Sequence, residues 1–397
     1  MIATAVALLS LAVWAYLLLG RGWFWRCAER DDSVPVASDA KLSNAPESWP
    51  AVVAIIPARD EADMIAHSVG SLLRQDYRGP FSVVVVDDQS ADGTAAAALA
   101  AASATGAADR LQIVAGASLA PGWTGKLWAM RQGLSAVEAS AAAPEFVLFS
   151  DADIAYAPHV LARLVAIAGA RSSVLTSLMV KLRCESAAER WLVPAFVFFF
   201  QMLYPFAWVN DSNRRRTAAA AGGCMLARRE TLAAAGGLEA LRGALIDDCA
   251  LGAIMKRQGP IWLGLTESVH SLRAYRDFAD FRRMVARSAF AELRYSPLRL
   301  AGAVAGMALV YLAPLFLATF AQGLAQAAGA LAWAMMALAL APTLRLYGRP
   351  VAGGLALPAI AAAYIAFTIN SAMQYWRGRG GYWKGRIQAP MREAGRV

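Results

Sequence analysis

The sequence is poor in the side chains that build zinc sites and disulfide frameworks. It holds 4 cysteines and 3 histidines among 397 residues. Cys27, Cys184, Cys224 and Cys249 are far apart and form no C-x-x-C pair, which argues against both kinds of site. The histidines show no ligand spacing either. We therefore expect reduced thiols that face the cytosol.

Two glycine-rich signatures of nucleotide binding are also missing. The chain has no GxxxxGK[ST] loop, and no GxGxxG motif follows the first predicted strand. No internal repeat is present. A nucleotide bound by this chain would therefore need another binding mode.

Charged residues are scarce, at 17% of the chain, and 58% of the residues are hydrophobic, with a mean hydropathy of +0.42. This composition is too apolar for an ordinary soluble domain and contains too many charged residues for a pure membrane bundle. We predict a soluble domain joined to membrane segments. The expected parts are an anchor (1–22), a linker (23–50), a soluble domain (51–298), transmembrane segments (299–372) and a basic tail (373–397).

The first 20 residues carry no charge after the start and are long enough for a spanning helix. Arg21, Arg26 and Arg30 follow this apolar segment, whereas a cleaved signal peptide needs a basic start and a small-residue cleavage site. By the positive-inside rule the following domain faces the cytoplasm. The sequence thus predicts a multi-pass protein of the inner, or plasma, membrane.

Three further apolar segments, 300–320, 324–341 and 351–370, are candidates for membrane spans. Three spans would place the C-terminus outside, whereas the basic tail favours the inside. One of the three is re-entrant or interfacial if the tail is inside, and the sequence leaves both topologies open.

The uncharged segment 191–209 is also long enough to span, but spanning would separate residues that the site below needs together. We expect a helix that lies in the membrane interface and is broken by Pro194 and Pro205. The alternative is a buried core helix of the soluble domain.

The net charge of +9 comes from basic residues beside apolar segments, which favours anionic lipid headgroups over nucleic acid as a partner.

The soluble domain shows four β-rich apolar runs, each followed by a segment compatible with a helix: 52–56, 81–86, 111–114 and 146–149. This alternation predicts an α/β fold with a mostly parallel, buried sheet. Ligands bind such sheets at the carboxyl ends of the strands. Acidic residues follow the first, second and fourth runs at those ends.

Asp151 and Asp153 stand one residue apart after the fourth run. Their oxygens suit Mg²⁺ or Mn²⁺ and leave positions open for a diphosphate. The alternative is a solvated helix start with Asp153 as its cap. On the residues alone, both interpretations stay open.

An ordered set of motifs carries a family resemblance. The motifs are PARDE (57–61), VVVDDQSADGT (84–94), GK (125–126), SDAD (150–153), GGCMLARRETLAAAGG (222–237) and DD (247–248). In type and order the set resembles glycosyltransferase family 2, over about 51–297. The resemblance implies a nucleotide-sugar-binding fold of the GT-A type and inversion at the sugar carbon.

A narrower resemblance comes from the N-terminal anchor, GWTGKLWAM (122–130), YPF (204–206) and the three-segment C-terminus. These features are similar to the hopanoid-biosynthesis-associated branch, which is akin to ceramide glucosyltransferases. That branch implies a lipid acceptor.

The family resemblance also implies roles for single residues. Pro57, Ala58, Asp60 and Glu61 would line a nucleoside pocket, and Asp88 would contact the base or the ribose. Lys126 would help to hold the donor, and Gly223, in a loop at 222–225, would approach the donor sugar. Asp151 would lie near the ribose and the metal. Asp153 would bind the metal directly. Asp60 stands where the family usually has Asn.

For the chemistry, the resemblance implies that Asp248 is the base that takes the acceptor proton. Asp247 stands where the family has Glu, which leaves open which of the two acts; without the family, a helix N-cap pair is the favoured interpretation. Arg287 is what remains of a Q-x-x-R-W motif and would bind the diphosphate. The missing Gln and Trp argue against a processive polymer synthase.

These observations together predict a membrane-bound inverting glycosyltransferase. Its donor would be a nucleotide sugar, with a UDP-sugar favoured, its cofactor Mg²⁺ or Mn²⁺, and its acceptor a lipid such as a hopanoid or related polyisoprenoid. The alternatives are a non-catalytic membrane scaffold derived from a glycosyltransferase and a polysaccharide synthase. Retention of Asp88, Asp153 and Asp248 argues against the scaffold.

Overall fold

The computed structural model describes residues 1–35, 49–140, 143–382 and 384–388. Parts of the predicted linker (36–48) and basic tail (383 and 389–397) lie outside the described residues. The chain divides into two compact units. The sheet unit comprises Glu29–Arg183 and Trp208–Arg273, and the helical unit comprises Met1–Ala28, Cys184–Ala207 and Ala274–Val397.

The sheet unit contains a mixed, mostly parallel sheet with the order β3-β2-β1-β4-β7-β6-β8-β5. Its strands are β1 (Val52–Ala58), β2 (Phe81–Asp87), β3 (Leu111–Ala115), β4 (Phe146–Ser150), β5 (Ile154–Tyr156), β6 (Leu175–Lys181), β7 (Cys224–Arg228) and β8 (Ile261–Ser271). β3, β2, β1 and β4 run parallel to one another, and β7 pairs antiparallel with both β4 and β6. The four predicted runs are therefore confirmed as the parallel half of the sheet.

The α-helices of the described residues are numbered along the chain. They are α1 (Ile2–Leu19), α2 (Ala62–Leu73), α3 (Thr94–Ala104), α4 (Gly125–Ala139), α5 (Val160–Ala170), α6 (Ala187–Leu203), α7 (Phe206–Asn210), α8 (Arg229–Ala234), α9 (Asp247–Gln258), α10 (Phe278–Glu292), α11 (Pro297–Met307), α12 (Ala313–Phe320), α13 (Gly323–Leu346) and α14 (Leu357–Trp376). A π-helical turn at Ala308–Leu312 joins α11 to α12.

Apolar residues on both faces of the sheet form the core of the sheet unit. β1 is buried along its whole length because helices cover both faces, as expected for continuous apolar runs in a parallel sheet. Ile65, Val69 and Leu72 form one stripe on α2 and are buried in this core, as their spacing predicts. Pro57 lies within β1, but pairing with β4 ends at Ile55, so only β2 continues beside the proline.

The helical unit contains four helical segments that are long and apolar enough to cross a membrane: Ile2–Leu19, Pro297–Phe320, Gly323–Leu346 and Val351–Trp376. They coincide with the four candidate spans named from the sequence. Polar side chains within this unit bond to neighbouring backbone, as when Trp14 Nε1 donates to Val310 O at 2.8 Å. Such pairing is required where water cannot reach the backbone.

The 191–209 segment differs in detail from the expectation. α6 begins at a capping box between Ser186 and Glu189 and continues through Pro194 without a break, whereas Pro205 separates it from α7. The stretches Cys184–Ala207 and Ala274–Leu298, which we expected within the soluble domain, group with the helical unit.

Part of the predicted linker packs on the sheet unit. Arg30 forms a parallel bridge with Leu265 of β8, and Thr266 Oγ1 donates to Asp31 Oδ2 at 2.6 Å. Val34 joins the hydrophobic core. The sheet unit therefore begins at Glu29, well before β1.

Candidate active site

The turns after β1 and β2 are tied together by short polar side chains. Asp60 has φ +50°, a left-handed conformation that Asn and Asp tolerate better than most residues. Its backbone N–H donates to Ser90 Oγ at 3.0 Å, and its Oδ1 accepts from the N–H of Ala91 at 2.9 Å. The N–H of Glu61 donates to Thr94 Oγ1 at 2.9 Å. The acidic ends of these two parallel strands thus lie side by side, as the sequence predicts.

Three of the residues proposed for the nucleoside pocket lie inside this region. Pro57 and Ala58 are buried near the end of β1. The side chain of Asp88 is fully buried, and its backbone N–H donates to Ala58 O at 2.8 Å. Arg59 Nη1 lies 4.0 Å from Asp88 Oδ2. Contact between these residues and a nucleoside stays a prediction.

Lys126, near the start of α4, binds acids from two distant parts of the chain. Its Nζ lies 2.8 Å from Asp151 Oδ1 and 3.1 Å from Asp247 Oδ2. The contact with Asp247 is an ion pair without hydrogen-bond geometry. Burial alone would lower the pKa of Lys126, but the two carboxylates outweigh it and raise that pKa above the ordinary lysine value. Lys126 therefore stays charged and neutralises acids from both β4 and α9.

Asp248 is held by backbone groups on both of its oxygens. Oδ2 accepts from the N–H of Gly222 at 3.0 Å, and Oδ1 accepts from the N–H of Cys249 at 2.7 Å. Burial, followed by repulsion from Asp247, raises the pKa of Asp248 to about 6, although Lys126 and the two N–H groups act in the opposite direction. A carboxyl with this pKa is mostly ionised at neutral pH and can still accept a proton.

Two glycines allow this close arrangement, because a Cβ would crowd neighbouring side chains at the first and clash with backbone at the second. A Cβ at Gly222 would lie 3.1 Å from Lys126 Nζ and 3.3 Å from Asp248 Oδ2. A Cβ at Gly252 on α9 would lie 2.7 Å from the backbone carbon of Ala219. The segment before β7 and the start of α9 therefore approach each other backbone to backbone. Gly222 and Gly223 form the turn, whereas Cys224 and Met225, which we expected in the same loop, already belong to β7 because they pair with β4.

Asp153 lies in a second cluster with Glu61 and Arg273. Arg273 Nε lies 2.8 Å from Asp153 Oδ2, and Arg273 Nη2 lies 2.7 Å from Glu61 Oε1. Ser271 Oγ donates to the same Asp153 oxygen at 3.4 Å, and the N–H of Leu272 donates to Asp153 O at 2.7 Å. The end of β8 thus wraps around the residue that we predicted as the direct metal ligand.

The described residues offer no group of three or more His, Cys, Asp or Glu side chains that could hold a metal ion. The carboxylates of Asp151 and Asp153 lie in one turn. Asp151 pairs with Lys126, and Asp153 pairs with Arg273. Mg²⁺ is usually held by one or two carboxylates together with substrate phosphates. The donor set fits such a shared site and does not fit an all-protein cage.

The structure brings Lys126, Asp151, Asp247 and Asp248 into one network, together with the turn at Gly222 and Gly223. Arg287 lies on α10 of the helical unit, and its predicted contact with the diphosphate stays a prediction.

Sequence reasoning missed Arg273. A signal was present, since Arg273 follows the apolar run of β8 just as the acids follow β1 and β4. That run was not recognised as a strand.

Comparisons with known proteins bear on the family and the fold. The model of the family described as "Glycosyltransferase like family 2" matches residues 50–264. A comparison with curated protein sequences found no significant match. Among solved structures, the mannosyltransferase PcManGT from Pyrobaculum calidifontis, in complex with GDP-Man and Mn²⁺, is similar at TM-score 0.53 and 21% identity, covering 94% of this chain and 98% of the other. This likeness shows the fold.

Two further solved structures are more distant. Mannosyl-3-phosphoglycerate synthase from Rubrobacter xylanophilus has a TM-score of 0.40 and 18% identity, covering 69% of this chain and 85% of the other. S. aureus TarS 1-349, in complex with UDP-GlcNAc, has a TM-score of 0.38 and 16% identity, covering 87% and 97%. The family match extends over more than half of this chain, from the start of β1 into β8. The chain therefore belongs to glycosyltransferase-like family 2, has a fold of the GT-A type, and is a nucleotide-sugar-dependent glycosyltransferase.

Proposed function

We propose that this chain is a membrane-bound inverting glycosyltransferase that moves a sugar from a nucleotide sugar onto a lipid. The observation that carries the proposal is the acid pair at the start of α9, in which Asp247 is bound by Lys126 and Asp248 by the turn at Gly222. A UDP-sugar is the favoured donor. A hopanoid or related polyisoprenoid is the favoured acceptor.

Asp248 is suited to act as the general base. The acceptor hydroxyl gives its proton to a carboxylate oxygen of Asp248 while the hydroxyl oxygen forms a bond to the anomeric carbon. The bond from that carbon to the nucleotide diphosphate breaks on the opposite face, so the configuration inverts. The pKa of about 6 supports this role. Asp247, paired with Lys126, supplies the neighbouring charge that helps to raise that pKa.

Asp151 and Asp153 would hold Mg²⁺ or Mn²⁺ together with the donor diphosphate. When bound, the ion neutralises negative charge that builds on the leaving nucleotide. PcManGT, whose structure holds GDP-Man and Mn²⁺, supports use of a divalent ion and widens the donor panel to GDP-sugars. Lys126 adds a positive charge beside Asp151 that would help to bind the diphosphate.

The four apolar segments of the helical unit support an acceptor that resides in the membrane. Arginines after the first span favour a cytoplasmic sheet unit by the positive-inside rule, and the cytoplasm is where nucleotide sugars would be met. Arg214, Arg215 and Arg216 are exposed on the sheet unit, and the Arg214 guanidinium lies 4.4 Å from the Trp208 ring centroid. Such a pair suits anionic headgroups at the membrane surface.

The experiment is a donor panel. Purified full-length protein is incubated with a lipid extract, Mg²⁺ or Mn²⁺, and each of a series of UDP- and GDP-sugars. We expect free nucleoside diphosphate and a new glycolipid with one donor, and loss of both products on chelation of the metal. Absence of nucleotide release with every donor and metal would contradict the proposal.

A further inference from the structure

We propose that Arg273 couples the binding of the divalent ion to the binding of the donor. Its guanidinium holds Asp153 and Glu61, and when the ion and the donor bind it passes to the donor diphosphate. The inference rests on the proposed function, in which Asp153 is a metal ligand.

The contacts of Arg273 place one guanidinium across two acids from different strand ends. Nε binds Asp153, which follows β4, and Nη2 binds Glu61, which follows β1. Both acids are nearly buried, with side-chain exposures of 11% for Asp153 and 6% for Glu61. Arg273 itself is 34% exposed. The cation therefore lies over the acids from the solvent side and can leave without opening the hydrophobic core.

Buried carboxylates require a compensating cation or hydrogen bonds. Arg273 supplies that charge to both acids, with one nitrogen of its guanidinium for each carboxylate. Ser271 Oγ adds a weaker contact to the same oxygen of Asp153 at 3.4 Å. The carboxylate that we propose as a metal ligand is thus already paired with a positive group.

A divalent ion at the Asp153 carboxylate and the guanidinium of Arg273 would repel each other, since both are positive and close together. The Arg273 contact therefore opposes binding of the ion by itself, and binding becomes easier when Arg273 moves away. The donor brings a diphosphate, for which a guanidinium forms charge-assisted, bidentate hydrogen bonds. The donor diphosphate thus gives Arg273 a new anionic partner when the ion binds Asp153.

The consequence is cooperative binding of ion and nucleotide. If nucleotide strengthens ion binding because it accepts Arg273, the ion must strengthen nucleotide binding by the same factor. Couplings of this kind are typically about 5- to 150-fold. The wild-type protein should bind Mn²⁺ weakly alone and more tightly in the presence of a nucleoside diphosphate.

The test measures Mn²⁺ binding directly, from the loss of the electron paramagnetic resonance signal of the free ion, for protein alone and with UDP or GDP. Arg273→Gln should bind Mn²⁺ alone about 5-fold or more tightly than wild type and should lose most of the enhancement by nucleotide. Arg30→Gln is the matched control, because Arg30 also bridges two carboxylates of the sheet unit, Asp32 and Glu267. It should leave both values unchanged.

The outcomes separate this inference from the proposed function. If Asp153→Asn abolishes Mn²⁺ binding while Arg273→Gln binds like wild type, the metal site stands and the coupling by Arg273 is overturned. If the wild type binds no Mn²⁺ with either nucleotide, the metal part of the proposed function fails, and the coupling fails with it.

A second variant covers the case in which Arg273→Gln does not fold because Glu61 is left charged and buried. Glu61→Gln combined with Arg273→Gln removes the cation and one of its two acids together. It should again tighten binding of Mn²⁺ alone relative to wild type. Weaker or equal binding by this folded double variant would overturn the coupling.

Discussion

Different forces stabilise the sheet unit and the helical unit. The sheet unit has an apolar core. Near the ends of its strands it also has ion pairs between residues far apart in sequence, such as Lys126 with Asp247. In the helical unit the described polar contacts are mostly single hydrogen bonds to backbone, such as Tyr364 Oη to Leu192 O at 2.8 Å. The sheet unit thus holds paired charges at the ends of its strands, whereas the helical unit satisfies its few polar groups and leaves its surface apolar.

Removal of one acid of the sheet unit should have the largest effect on activity. Asp153→Ala should lower donor turnover about a hundredfold or more, because the leaving diphosphate loses a metal ligand worth several kcal/mol. Steady-state release of nucleoside diphosphate measures the effect. Asp109→Ala, an exposed acid of the same unit, should act like wild type. Equal loss in both variants would show a general effect on folding.

Lys256 is a basic residue of the sheet unit that holds backbone instead of acids. Its buried Nζ donates to the carbonyls of Trp208, Val209 and Thr217 at 2.7 to 3.0 Å, and burial lowers its pKa to about 8. Lys256→Met leaves these carbonyls without that donor, at a cost of about 1–3 kcal/mol.

Hydrogen exchange should therefore accelerate about 5- to 150-fold in peptides that cover 208–217. Peptides from α13 of the helical unit should be unaffected. Lys181→Met, which removes a lysine paired with Glu267, is the control. Equal exchange in 208–217 for wild type and Lys256→Met would refute the anchoring role.

Lys126→Gln tests whether the ion pairs of the sheet unit control the protonation of the proposed base. Lys126 lowers the pKa of Asp248, so its removal should raise that pKa above about 6 and protonate the base at a higher pH. The acidic limb of kcat/KM should then move upward by about one pH unit, with activity still rising as pH rises through the limb. A pH profile with its acidic limb unchanged would mean that Lys126 does not act on the base.

The smallest effect is expected in the helical unit. Tyr364→Phe removes one buried hydrogen bond and should lower thermal stability by about 0.6–1.5 kcal/mol. Nucleotide binding by the sheet unit should not change. Tyr16→Phe, at an exposed tyrosine of α1, serves as the control in the same detergent-based melting experiment. A larger loss of nucleotide binding than of stability would contradict the division of labour between the units.

The parallel half of the sheet was predictable because β1, β2 and β4 are continuous Val, Ile and Phe runs between turn residues. The other half was not. β5 has three residues, and β6 to β8 follow one another without regular βα alternation, since β7 is antiparallel to both of its neighbours. The local sequence pattern cannot specify antiparallel pairing between strands that are far apart along the chain.

The candidate site was predictable to the same degree. Acids at the carboxyl ends of parallel strands lie at one edge of the sheet. The contact between Asp60 and the turn after β2 was therefore predictable from the sequence. Arg273 lies 212 residues from Glu61, and its role arises only from tertiary contact. No periodicity marks an arginine that neutralises acids from another strand.

The most direct test of the account is the comparison of Asp248→Asn with wild type, using the donor and lipid that the panel identifies. We expect transfer to fall about 10²- to 10⁴-fold, the usual contribution of a general base, while nucleotide affinity stays within a few-fold of wild type. Asp109→Asn should behave as wild type. Transfer by Asp248→Asn at the wild-type rate would contradict the assignment of Asp248 as the base.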